Sequence, residues 1–166
     1  MENHPICRYR EQIYLIERAA NVSTNDLKKI IQAIENSDVN NYLKCSYISD
    51  IAQISYRRTN NIEVAKSIII KAIKYADIGQ LHGIASDCYE VTHDKDFTVD
   101  LYVKAINLCY EANNTSRLHL LGQSMLNIDA IGDNYFHEWG EAIKAEAVAL
   151  NNKNKAEKKF PKDRVY

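Results

Sequence analysis

Ile48-Ser49-Asp50-Ile51-Ala52-Gln53-Ile54-Ser55 sets bulky residues at 48 and 51, and small ones at 52 and 55. That spacing gathers four side chains on one face of an α-helix. The pattern returns as Leu81-His82-Gly83-Ile84-Ala85-Ser86-Asp87-Cys88, and again as Leu118-His119-Leu120-Leu121-Gly122-Gln123-Ser124-Met125. Twenty positions after Ala52, Ala85 and Gly122 stand the pairs Ala72-Ile73, Ala105-Ile106 and Ala142-Ile143. A fourth pair, Ala33-Ile34, lies near the start. Self-similarity at a period of roughly 20–50 residues marks an array of supersecondary units. One unit is a large-large-small helix, a short turn and an Ala-Ile helix. Two antiparallel helices approach closest where Ala or Gly replaces bulk, so each hairpin is expected to close at its small residues.

The 3.6-residue period extends this reading to eight helices. The first starts near Pro5 with Ile6, Ile13 and Ile16 on one side, and the first two helices form a degenerate copy of the unit. Ser23 with Asp26 reads as the start of the second helix. Asp38, Asp94 or Asp96, Thr115 and Asp133 are the expected caps of the third, sixth, seventh and eighth, and Asn60-Asn61 breaks the chain between the third and fourth. Pro5 and Pro161 are the only prolines, so none interrupts the helices between them.

The chain of 166 residues suits one domain, expected over residues 1–150. Residues 151–166 carry six basic groups against Glu157 and Asp163, a charge of +4. The whole chain carries −1, which leaves −5 on the body. The short basic run reads as a flexible tail and argues only weakly for nucleic acid. Cys7, Cys45, Cys88 and Cys109 are dispersed with no C-x-x-C, which suits reduced core thiols in the cytoplasm. The start lacks a signal-peptide core, and Ile68-Ile69-Ile70 is too short to span a membrane.

The pattern resembles the tetratricopeptide repeat over roughly residues 40–150. Leu118, Leu121, Gly122 and Met125 match that family's first helix, and Ala65 and Ala72 match its second. Thr98 and Tyr135 replace the first of those alanines in the following units, and the proline that often ends a unit is absent. The resemblance implies an all-α fold: four antiparallel hairpins stacked as a right-handed superhelix, with the first helix of each lining a concave face. The groove residues would then be Gln53, Tyr56, Arg57, His82, Ser86, Tyr89, Glu90, His119 and Gln123. This set is polar, mixed in sign and dotted with aromatics, which suits a protein partner. It lacks the Lys/Asn/Arg clamp that some members use for a C-terminal carboxylate, so acidic chaperone tails are not the expected ligand.

Motifs of chemistry are missing. No H-E-x-x-H, G-x-x-x-x-G-K, G-x-G-x-x-G or G-x-S-x-G occurs, so no catalytic residue, metal site or cofactor is expected. Asp87, Asp94, Asp96 and Asp100 form an acidic stretch that reads either as solvated helix surface or as a docking patch for a basic protein. Tyr42, Tyr75 and Tyr102 lie beside apolar stripes and should pack, whereas Tyr56 and Tyr89 are interface candidates. The expected function is non-catalytic protein binding, with a small cytoplasmic inhibitor or immunity-type protein that neutralises a basic toxin or nuclease favoured. A repeat adaptor or chaperone is the first alternative. A helical hydrolase or nuclease without a visible motif is the alternative from another class.

Overall fold

Where the preceding residue is described, each helix begins at a short polar side chain that takes up an open amide of its first turn. The computed structural model describes residues 5–18, 23–129 and 134–159. They form α1 (Pro5–Arg18), α2 (Thr24–Glu35), α3 (Asn41–Thr59), α4 (Ile62–Ile73), α5 (Ile78–Thr92), α6 (Lys95–Glu111), α7 (Thr115–Asp129) and α8 (Asn134–Lys159). No strand occurs among the described residues, so the fold is all-α. None of these helices is long and apolar enough to cross a membrane.

Ser23 and Asp26 make the expected capping box of α2. Two other caps differ from the expectation. Asn40, not Asp38, caps α3 by accepting from the Leu43 amide at 2.9 Å. Asn114, not Thr115, accepts from the Arg117 amide at 3.1 Å, and Thr115 is the first residue of α7. The capping side chain must reach the third helical amide, so a polar neighbour one or two places away cannot substitute. Asp94 caps α6 through the Phe97 amide at 2.9 Å, and Asp96 sits in its first turn. Asp133 lies outside the described residues.

The turns after α3 and α5 are alike, 33 positions apart. Thr59 Oγ1 donates to the Ser55 carbonyl at 2.8 Å and accepts from the Asn61 amide at 3.2 Å. Thr92 Oγ1 donates to the Cys88 carbonyl at 2.7 Å and accepts from the Asp94 amide at 3.2 Å. Between them Asn60 and His93 adopt left-handed backbone, with φ of 52° and 50°, and their amides bond to the Tyr56 and Tyr89 carbonyls. Asn61 and Asp94 then cap the next helix. The repeat therefore extends from the buried stripe into the turn chemistry.

The chain groups into two compact units, Met1–Thr98 and Val99–Tyr166, and the division falls inside α6. In the first unit α3 is central: α4 packs along it most extensively, and α1, α2 and α5 also lie against it. A two-residue link makes α3 and α4 antiparallel neighbours. Ile48, Ile51, Ala52 and Ser55 are all buried, as are Leu81, Ile84, Ala85 and Cys88. Facing residues Ala65, Ile68, Ile69 and Ala72 of α4 are buried too.

In the second unit α7 packs along α8. Leu118, Leu121, Gly122 and Met125 are buried, but the expected partner Ala142 is exposed. The buried stripe of α8 is Phe136, Gly140, Ile143 and Ala147, one position on from the Ala-Ile register. Tyr135, aligned with Ala65 by sequence, is likewise exposed. The closest approach is Gly122 to Gly140: a Cβ on Gly122 would lie 2.6 Å from the Gly140 carbonyl oxygen, and one on Gly140 would lie 2.7 Å from that of Gly122. Two glycines meeting backbone to backbone fix the rotation of α8 more strongly than an alanine could. The buried hydroxyls of Tyr102 and Ser124 bond at 2.7 Å, and the Tyr102 ring meets Phe136 and Trp139 at about 6 Å. Helix α8 continues through residues 151–159, into the segment read as a tail, and Asn154 Nδ2 donates to Asn113 Oδ1 at 3.0 Å.

Candidate functional site

Asp50, Gln53 and Arg57 recur on α3 at offsets of three and four, so one face of that helix is polar. Asp87 and Glu90 stand on α5, which packs against it. The seam is joined by Gln53 Nε2, which donates to Asp87 Oδ2 at 2.8 Å; within α3, Arg57 donates to Gln53 Oε1 at 3.2 Å. Burial pushes the Asp87 carboxyl above the usual carboxylate range, and the charges of Glu90 and Asp50 add to that; the Gln53 hydrogen bond and Arg57 oppose it. Half-buried Asp87 thus feels two exposed carboxylates, Asp50 and Glu90, with exposed Arg57 as the cation acting on it.

Of the expected groove residues, Gln53, Arg57 and Glu90 belong to this seam. Tyr56, His82 and Ser86 are half-buried on the same two helices. Tyr89 differs: it is buried, with its ring edge-on to His93 at 6.0 Å, which leaves it little surface for a partner. His119 and Gln123 are exposed on α7, in the second unit.

The acidic stretch is similarly divided. Asp94 is occupied within the fold, since it caps α6 and pairs with Lys66 of α4. The Lys66 hydrogen bond holds its carboxyl below the usual range, helped by the Phe97 amide. Asp96 and Asp100 are exposed, one helical turn apart on α6. Sequence reading missed Asp50, whose offset from Gln53 and Arg57 is the available signal, and Lys66, which is too far along the chain to be paired by any local rule. Tyr102 is buried and Tyr75 half-buried, as their stripes suggest, but Tyr42 is exposed.

Cys45, Cys88 and Cys109 are buried free thiols. Burial, with a contribution from Asp77, pushes the Cys45 thiol up to about 12, so it is no nucleophile at neutral pH. Among the described residues no three His, Cys, Asp or Glu side chains group as a metal site. No protein-family model, curated protein or solved structure matches the chain.

Proposed function

We propose that the chain is a non-catalytic protein-binding module, a tetratricopeptide-like array of α-hairpins acting as a small cytoplasmic inhibitor of immunity type. Its partner is a basic protein such as a toxin or nuclease. The observation that carries this reading is the α3–α5 seam, where half-buried Asp87, bonded to Gln53 at 2.8 Å, is raised by burial and further by the exposed charges of Glu90 and Asp50. A lysine or arginine from a partner would relieve that repulsion while it is being desolvated, and such charge complementarity speeds encounter and selects partners. Asp96 and Asp100 add exposed negative charge on α6.

The test is association kinetics with a basic partner recovered by co-purification and shown to be inhibited. Glu90→Lys combined with Asp96→Lys should slow association by about tenfold or more at low salt, with the difference closing as salt rises. An association rate unmoved by either substitution rejects docking through this charge. An adaptor would show itself instead by micromolar binding to many peptides without inhibition. Turnover of any substrate that is abolished by His82→Ala or His119→Ala would replace binding with catalysis.

A further inference from the structure

Helices α2 and α4 both lie against α3, and the space between them is a cleft of about 310 Å³. Its floor is aliphatic, from Leu27 and Ile31 of α2 and Val64 and Ile68 of α4. Lys28 and Lys71 stand at its two sides. Neither lysine side chain makes an ion pair, hydrogen bond or ring contact among the described residues. The one carboxylate of the lining, Glu35, accepts from the Tyr75 hydroxyl at 3.5 Å, and Lys44 bonds its main-chain carbonyl at 2.7 Å. The cleft therefore joins an apolar floor to two lysines with no ion-pair partner among the described residues and to one carboxylate, Glu35, that is engaged by Tyr75.

From this juxtaposition we infer that the α2–α4 cleft binds a soluble single-chain amphiphile with an anionic headgroup, the alkyl chain on the aliphatic floor and the carboxylate between Lys28 and Lys71. The volume lies at the lower end of ligand sites, roughly 300–1,000 Å³, which suits a short alkyl chain and is too small for a helix. Leu27, Ile31 and Ile68 belong to the core of the first unit and Val64 is half-buried beside them, so the site is preformed and needs no opening of the fold. The seam between α3 and α5 is a different surface, and this inference does not depend on the function proposed for it.

Decanoate, kept below its micelle concentration, is the probe. Its titration should shift the backbone amide resonances of residues 27–32 and 64–71 saturably, and leave those of α7 and α8 unmoved. Shortening the chain should weaken binding by about two- to fourfold per methylene, the scale of burying that group. Lys28→Gln with Lys71→Gln should weaken it by about tenfold, the scale of two partly exposed ion pairs. Ser67→Phe, which places a ring in the cleft from an exposed position, should abolish it while leaving the helical spectrum intact. Decanol binding as tightly as decanoate overturns the inference, as does decanoate affinity unmoved by the lysine changes or by Ser67→Phe. Shifts of the same amides with anionic vesicles but not with monomeric decanoate overturn it in favour of a membrane surface.

Discussion

Ser55 occupies the position that Cys88 and Met125 hold in the other two copies, and its buried hydroxyl has no hydrogen-bond partner among the described residues. A buried, unsatisfied hydroxyl costs about 1–3 kcal/mol, so Ser55→Ala should leave stability unchanged or raise it by up to ~1 kcal/mol, read from chemical denaturation. Ile51→Ala, one turn away in the same stripe, should cost about 2–5 kcal/mol. Asp87 gives a pH signature. Its folded pKa lies above the ordinary value, so the neutral form favours folding; that contribution is complete below the unfolded pKa and is lost as pH rises through the folded one. Asp87→Asn should therefore raise stability at neutral pH by about 0.5–1 kcal/mol, with the gain vanishing below the ordinary aspartate range of about pH 3.9. A variant that loses stability at pH 7 would mean that the Gln53 and Arg57 contacts outweigh the burial of the charge.

Helix pairs differ in how closely they approach, and the glycines report it. A Cβ on Gly122 or Gly140 meets the facing backbone carbonyl, which cannot swing aside as a side chain could. Gly122→Ala and Gly140→Ala should each cost about 1–3 kcal/mol by forcing α7 and α8 apart. Gly83, inside α5, has open space where a Cβ would stand, with nothing within 4 Å, so Gly83→Ala should instead stabilise by about 0.5–1 kcal/mol. Thermal melting of the three variants separates close packing from simple helix propensity. The two Thr-centred turns supply a second comparison. Thr92 is buried and Thr59 exposed, so Thr92→Val should cost about 1–2 kcal/mol and Thr59→Val about half that, each from the loss of the bonds to the preceding turn and the next helix.

At the scale of the molecule, Cys45, Cys88 and Cys109 are reporters of whole-unit opening. In a Cys7→Ser background these thiols should react with a disulfide reagent only at the rate of unfolding, and in denaturant all three should react at once. Fast labelling in native buffer would show that the units open locally. Helix content, the buried stripes on α3, α5 and α7, and the Ser23 cap were legible because they are local: periodicity and short polar caps act within a few residues. The seam was half legible, since Gln53, Arg57 and Glu90 follow from the face each occupies, whereas the Gln53–Asp87 bond joins residues 34 positions apart. Periodicity alone marked most of the helical residues and the large-large-small stripe that recurs on α3, α5 and α7. It took the packing of the folded chain to turn Gly140 rather than Ala142 toward Gly122, to pair Asp94 with Lys66, and to group the chain into two units. The reason is physical: a 3.6-residue period fixes a face to within one position, but helix rotation and charge pairing are set by which backbone or cation stands opposite.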